Sequence, residues 1–268
     1  MDASPDSSRP PERPLTPLMA ALWTMALALM ASLIAGVTQS ARPGAESDVV
    51  NLAACEVLAT SLVVFFAVRW HGRDISLRQM LAFRPIAPLH ALLSIAAGAG
   101  LFPLFSTVEA LLERRWPAQD AELAESLQKI VTSASRPALV VAVLVVMPLA
   151  REVFFRGLLF TGVKRRAGLQ SALVVTAACY ACAQLQWQQM PTLFVLGLAT
   201  AWLCERTGTV VSAILAQLAY GAVEGVPILR GADLTAEVTY STRWIVGGAV
   251  IALLALVAVG TGRRDEEP

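Results

Sequence analysis

Charged residues are scarce in this chain: aspartate, glutamate, lysine and arginine make up only 15% of its 268 residues. A soluble domain of this length carries about a quarter. Apolar residues make up 56% of the chain, and the mean hydropathy is +0.61. The composition therefore excludes an ordinary water-soluble protein and predicts a membrane protein.

Histidine and cysteine are also rare. The two histidines are His71, in a predicted loop, and His90, at the start of a predicted span. Cys179 and Cys182 have the spacing of a metal site, but cysteine in an apolar segment behaves as a small hydrophobic residue. The sequence has no internal repeat, no nucleotide-binding loop and no basic stripe with interleaved aromatic residues, so we expect no nucleic-acid partner.

The apolar residues are grouped in long blocks, and about 20 such residues in a helix span the ~30 Å hydrocarbon core. Nothing in the blocks alternates with the period of barrel strands. The fold class predicted is an all-α polytopic membrane protein, a bundle of about eight transmembrane helices with a polar intramembrane cavity. The eight blocks are Pro17–Gln39, Asp48–Trp70, Pro88–Leu112, Pro137–Phe160, Leu169–Trp187, Met190–Cys204, Thr209–Ile228 and Arg243–Gly260.

The domain organisation follows from the blocks: a disordered tail at 1–16, a transmembrane bundle at 17–260 and a second tail at 261–268. The first block is too long for a secretory signal. Twelve lysines and arginines fall on the side of the N-terminus and seven on the other side, which predicts cytoplasmic N- and C-termini. The longest loop, 113–136, contains an apolar stripe typical of a short helix.

Three later blocks carry polar side chains. Glu152 and Arg156 are four residues apart on the fourth block, so they share a helix face and can form an ion pair. Tyr180 and Gln184 share a face on the fifth block. On the seventh block, Gln217, Gly221 and Glu224 also share one face. Each amide alone is explained by an interhelical hydrogen bond, and Glu224 by interfacial water, but together they predict a polar centre.

These residues resemble a known family. The stretch 146–159, VMPLAREVFFRGLL, looks like the first motif (E-E-x-x-x-R) of the CPBP intramembrane proteases, which include the CAAX prenyl protease 2 enzymes and bacterial lysostaphin-resistance-like proteins. The stretch 180–184 is similar to the second motif (F-x-x-x-H), and 217–221 to the third (H-x-x-x-N). The resemblance covers about 137–225. It implies a helical membrane protein with a cytoplasmic-side cavity in which paired glutamates and histidines activate water, generally with a metal ion.

The chain departs from that pattern at most of the positions that carry the chemistry. Only Glu152 and Arg156 match the motifs; the first glutamate is Arg151, and the two histidines are Gln184 and Gln217. A catalytic zinc site needs about three imidazole, thiolate or carboxylate ligands, and an amide oxygen is a weak zinc ligand. Arg151 would also repel a divalent cation. We therefore predict no metal and no other cofactor.

The resulting hypothesis is a catalytically degenerate relative in a bacterial cytoplasmic membrane, with Glu152 held between Arg151 and Arg156. Arg151, Gln184, Gln217 and Glu224 would contact a bound ligand, either a peptide or a prenylated or otherwise membrane-anchored protein, beside membrane lipid. Three alternatives stay open. They are an active endopeptidase that uses Glu152 with Glu224 (and then zinc), a transporter, and a structural scaffold. The absence of an internal repeat argues against the transporter.

Overall fold

A computed structural model describes residues 15–71, 81–116, 129–130, 134–184, 187–230 and 240–262. Most of both predicted tails and of the loop helix predicted within 113–136 lies outside these residues. All regular elements within them are helical. The helices are α1 (Pro17–Ala41), α2 (Val49–His71), α3 (Pro88–Arg115), α4 (Arg136–Val141), α5 (Met147–Glu152), α6 (Thr161–Ala183), α7 (Met190–Thr207), α8 (Val210–Leu229) and α9 (Thr242–Thr261).

Five of the described helical stretches are long and apolar enough to cross a membrane: Pro17–Ala41, Val49–His71, Pro88–Arg115, Arg136–Ala183 and Thr242–Thr261. The all-α polytopic membrane fold is therefore confirmed, but the number of eight spans is not. The difference lies in the central region. Arg136–Ala183 counts as one stretch although Gly168 (φ 82°, ψ 173°) breaks it between two predicted blocks, and neither α7 nor α8 is among the five.

The lipid-facing surface is apolar. Leu18 and Leu29 of α1 are each 68% exposed, and Leu253 and Leu254 of α9 are 62% and 63% exposed. In water such a continuous apolar surface would promote association. In a bilayer it is the surface that contacts the acyl chains, so its presence agrees with the composition.

Local sequence signals set several helix ends. The Thr16 hydroxyl accepts a hydrogen bond from the Met19 N–H at 3.3 Å, and the Ser135 hydroxyl accepts one from the Ala138 N–H at 3.4 Å. Both interactions satisfy backbone donors that a helix N-terminus leaves unpaired. At the other end, Gly208 adopts a left-handed conformation (φ 70°) that ends α7.

Glycines let α3, α8 and α9 pack very closely. A Cβ atom built on Gly98 of α3 would lie 1.9 Å from the Ala216 carbonyl oxygen of α8, and one on Gly248 of α9 would lie 2.6 Å from the Gly100 oxygen of α3. No side chain fits at those distances. Small residues at such contacts are the usual means by which membrane helices approach.

The helical stretch 136–167, here called the motif helix, is not regular. Two π-helical segments, Ala142–Val146 and Val153–Phe160, flank α5. Pro148 lies at the start of α5 and has no backbone N–H to donate to the preceding turn. Short π-helical segments inside α-helices occur frequently at functional sites. The second segment is buried from Phe154 to Phe160, so the motif helix passes through the centre of the bundle.

Candidate functional site

The centre of the bundle contains a buried ion pair. Nε of Arg156 lies 3.4 Å from a carboxylate oxygen of Glu152, and both side chains have no exposed surface. The pair therefore forms as their four-residue spacing predicted. At 3.4 Å it is a charge contact rather than a hydrogen bond, and in the described residues neither carboxylate oxygen of Glu152 has a hydrogen-bond partner.

The Arg156 guanidinium is fixed by two other helices. Its Nη2 donates a hydrogen bond to the Gly197 carbonyl oxygen of α7 at 3.1 Å. Its Cζ atom lies over the Tyr180 ring of α6, 4.5 Å from the ring centroid. Gly197 permits this approach, because a Cβ there would lie 3.0 Å from the Ala177 Cα atom and 3.2 Å from Nη2 itself. Buried arginine stacked on an aromatic face in this way gains cation–π attraction.

Gln217 joins the same site from α8. Its amide nitrogen donates to the Tyr180 hydroxyl at 3.0 Å. Its amide oxygen, like Nε and Nη1 of Arg156, is buried and has no hydrogen-bond partner among the described residues. A buried polar atom without a partner costs about 1–3 kcal/mol. This site therefore has hydrogen-bonding capacity on both donor and acceptor atoms that no other group in the described residues uses.

Arg151 is placed differently from the sequence-based expectation. Its Nε donates a hydrogen bond to a carboxylate oxygen of Glu56, on α2, at 2.9 Å. Glu152 is therefore not held between two arginines. Arg151 and Glu152 are adjacent in sequence and lie about 100° apart around a helix, so their side chains extend to different neighbours. Glu56 also offsets the positive charge that Arg151 would otherwise place beside the site.

We expect a measurable coupling in folding free energy between Arg151 and Glu56. Their side chains are 26% and 18% exposed, so we expect the Arg151→Gln and Glu56→Gln changes to be non-additive by about 0.5–3 kcal/mol in the free energy of unfolding. The measurement is a double-mutant cycle in detergent. The exposed pair of Arg42 and Asp48 (62% and 36% exposed) is the control, with an expected coupling of about 0–1 kcal/mol. Additive effects at 56 and 151 would contradict the contact.

Gln184 is not joined to the buried pair by a hydrogen bond. It follows α6 directly and is partly exposed, one turn beyond Tyr180. Within the described residues its side chain makes no hydrogen bond to Glu152, Arg156 or Gln217. At the second histidine position of the family motifs, Gln217 therefore lies at the buried centre. At the first histidine position, Gln184 lies at the end of α6 and is partly exposed.

Glu224 is also away from Glu152. It lies near the end of α8 with an exposed side chain, close enough to Glu109 of α3 for the two carboxylates to interact. Glu109 itself accepts a hydrogen bond from the Thr192 hydroxyl. The structure therefore does not bring Glu224 and Glu152 together as the second carboxylate that the active-endopeptidase alternative requires.

Gly221 stands where the family motif has asparagine. A Cβ atom at this position would lie 3.1 Å from both Cβ and the carbonyl oxygen of Leu144 in the motif helix, and one at Gly225 would lie 2.7 Å from a Leu144 methyl group. The two glycines, four residues apart, let α8 rest on the motif helix. A side chain at 221 would need Leu144 or α8 to shift by a few tenths of an ångström, so this departure from the motif is coupled to helix packing.

The donor set does not fit a catalytic metal. The described residues contain no group of three or more His, Cys, Asp or Glu side chains that could hold a metal ion. Among the described residues the one carboxylate at the centre is Glu152, and its charge is offset by Arg156. The other polar groups are an amide, a phenol and a guanidinium, of which none is a usual zinc ligand.

An all-helical membrane protein with charged and amide side chains buried at its centre belongs to the class of polytopic proteins with an intramembrane polar site. Residues 133–223 match a family model described as Type II CAAX prenyl endopeptidase Rce1-like. This segment contains all three motifs, so over these residues the chain is similar to the CPBP and CAAX proteases. Neither the curated proteins nor the solved structures gave a match.

Two contributors to the site were missed by sequence reasoning. Glu56 is a single acid in an apolar block, and nothing in its neighbourhood names Arg151 as its partner. The Gly197 carbonyl oxygen is a backbone group whose role depends on the packing of α7 against α6. Only the charge of Glu56 inside a predicted span was a usable signal, because such a charge calls for a partner.

Proposed function

We propose that this protein is a catalytically inactive relative of the type II CAAX prenyl endopeptidases that binds a peptide or lipid-linked protein without cutting it. The observation that carries the proposal is the state of Glu152. It is the single carboxylate of the buried centre in the described residues, it faces Arg156, and the amide of Gln217 occupies a histidine position of the motif. One carboxylate without a metal or second acid lacks the means both to activate water and to protonate a leaving amine.

The polar atoms at the centre suit a peptide. These atoms have no exposed surface in this structure, so the proposal requires the surrounding helices to part; both Glu152 oxygens can then accept hydrogen bonds from peptide N–H groups, and Nη1 of Arg156 can donate to a peptide carbonyl. Peptide groups are strong donors and acceptors that require partners inside a membrane. A peptide segment at this position would satisfy the atoms that the protein leaves unpaired.

An apolar groove beside the centre suits a lipid chain. It encloses about 600 Å³ between α2 and the motif helix, and its lining includes Val57, Phe65, Leu149, Ala150 and Val153. Ala150 and Val153 flank Arg151 and Glu152 in sequence, so the groove runs along the same helix that carries the polar centre. A partner that carries a prenyl or acyl chain next to its peptide would use both.

The membrane orientation is part of the same proposal. The excess of lysine and arginine on the side of the N-terminus supports a cytoplasmic location of both termini. The bundle is an integral membrane protein, and we place it in a bacterial cytoplasmic membrane.

The expected result of a binding experiment is saturable binding without cleavage. The detergent-solubilised full chain is titrated with a fluorescent farnesylated peptide and with the same peptide lacking the lipid. Anisotropy should show at least about tenfold weaker binding without the lipid, since each buried CH₂ contributes about 0.8 kcal/mol. Ala150→Phe, which fills the groove, should weaken binding of the farnesylated peptide alone. Mass spectrometry should find the peptide intact.

A variant that carries the family's metal-binding residues serves as the control for metal binding and cleavage. It carries Gln184→His and Gln217→His together with Arg151→Glu and Glu56→Gln, the last because removal of Arg151 leaves Glu56 unpaired. Elemental analysis should find substoichiometric zinc in the wild type and more zinc in this variant. Stoichiometric zinc in the wild type, or a cleavage product lost in Glu152→Gln, would establish the active endopeptidase instead. Failure of the farnesylated peptide to saturate would contradict a binding role.

A further inference from the structure

A second, larger groove lies on another side of the bundle, between α3, α8 and α9. It encloses about 1330 Å³, which exceeds the range of about 300–1,000 Å³ for pockets that hold small molecules. Its floor is made of residues with little or no side chain, among them Ala99, Gly100, Ala222, Gly247 and Gly248. The floor is therefore smooth and apolar along its length, a shape that fits a hydrocarbon chain.

One end of this groove is cationic. Arg230, directly after α8, and Arg243, in the first turn of α9, both line it together with Tyr240 and Trp244. Both arginines are exposed, and neither makes an ion pair or side-chain hydrogen bond in the described part of the chain. Asp233 and Glu237 lie outside the described residues. Tryptophan and tyrosine are enriched at the membrane–water interface, so this end is the headgroup end.

The N-terminus of α9 adds a second attraction for an anion at the same place. Ser241 precedes the helix but makes no capping hydrogen bond with its side chain. Its carbonyl oxygen accepts from the Trp244 and Ile245 N–H groups, so the Thr242 and Arg243 N–H groups of this 20-residue helix are the ones without an intrahelical acceptor. These N–H groups and the helix dipole favour a phosphate. Arg243 belongs to the same turn, so the guanidinium and the N–H groups are close to one another.

The length of the groove matches one leaflet. From Arg243 to Ile251, which also lines it, α9 rises about 12 Å. Half of the hydrocarbon core is about 15 Å. A chain that starts at the arginines therefore reaches approximately the middle of the bilayer along the floor of small residues.

We propose that this groove is a binding site for one anionic glycerophospholipid, with its phosphate between Arg230, Arg243 and the N-terminus of α9 and an acyl chain on the floor between α3, α8 and α9. A lipid with a zwitterionic headgroup has the same chains but no net negative charge. The site therefore selects by headgroup charge. It is separate from Glu152 and does not depend on the role proposed for that residue.

The experiment measures retention of lipid by the full chain. Delipidated protein in neutral detergent is titrated with phosphatidylglycerol or phosphatidylcholine, and native mass spectrometry gives the occupancy. We expect one phosphatidylglycerol to bind more tightly than phosphatidylcholine. Arg230→Gln with Arg243→Gln should weaken its binding about 25-fold, from a factor of about five for each arginine. Gly247→Phe should also weaken it, because a Cβ at Gly247 has open space around it and the ring would occupy the groove.

The matched control is Arg42→Gln with Arg115→Gln, which removes two exposed arginines from the same predicted side of the membrane. It should leave retention unchanged. An equal loss in both double variants would mean non-specific attraction and would overturn the site, as would equal retention of the two lipids. Inorganic phosphate is the last probe. If phosphate displaces the lipid at concentrations as low as those at which the lipid binds, the groove contributes nothing to lipid affinity and the proposal fails.

Discussion

Arg156→Met lowers the free energy of unfolding by about 3–5 kcal/mol, the largest effect that we expect from a single change in this protein. Removal of the Arg156 guanidinium would leave the Glu152 carboxylate buried without a compensating charge. An uncompensated buried charge of this kind costs about 3–5 kcal/mol. The loss of the hydrogen bond to the Gly197 carbonyl oxygen and of the contact with the Tyr180 ring acts in the same direction. The measurement is unfolding by denaturant in detergent micelles.

A second change identifies the cause. Glu152→Gln combined with Arg156→Met removes both charges, and we expect it to recover most of the lost stability, since replacement of a buried ion pair by neutral groups is often neutral or better. Arg42→Met, at an arginine whose side chain is 62% exposed, controls for loss of any arginine. If Arg156→Met alone were as stable as the wild type, the buried pair would not be part of the folded protein.

Gly98→Ala and Gly248→Ala are the second pair of changes with large expected effects. The added methyl group would lie 1.9 Å from the Ala216 oxygen in the first case and 2.6 Å from the Gly100 oxygen in the second. Both atoms belong to the backbone, so the helices must separate. Overpacking of this kind costs about 1–3 kcal/mol and occasionally more. Thermal unfolding of the detergent-solubilised protein would show the loss.

The adjacent residue provides the control. Gly247→Ala is the same chemical change on the same helix, but a Cβ there meets nothing within 4 Å. We expect it to be neutral or to stabilise by up to about 1 kcal/mol, because alanine is the better helix former. Equal effects at 247 and 248 would mean that helix propensity, rather than the close approach of α3 and α9, determines the result.

Parts of the site followed from local spacing. The four-residue separation of Glu152 and Arg156 brought their side chains together because both belong to one helix, where such neighbours share a face. Tyr180 and Gln217 were both singled out as motif positions, and each reaches the centre from its own helix. Helix spacing put Gln184 on the same face as Tyr180, but within the described residues Gln184 makes no hydrogen bond to the central residues. It lies one turn beyond Tyr180, where α6 ends and the chain turns to α7.

Arg151 shows the limit of reasoning from one helix. The sequence places it beside Glu152, but adjacent side chains on a helix diverge, and the partner that Arg151 contacts is 95 residues away on α2. Gly221 shows the same limit in another form. In the sequence, Gly221 is only a position where the family motif has asparagine and this chain does not. In the fold, it is the point where α8 packs against Leu144.

The sequence alone determined the class of this protein, because scarce charge and long apolar blocks leave a helical bundle as the structure that satisfies the backbone within a membrane. It also indicated the family that residues 133–223 resemble, through three motifs in order. The tertiary structure decided which polar groups meet: Arg156 with Tyr180 and the Gly197 oxygen, Arg151 with Glu56, and Gln217 with the Tyr180 hydroxyl. Those contacts depend on how helices distant in sequence are rotated and spaced, and the glycine contacts that set this spacing acquire their meaning only when the helices are packed.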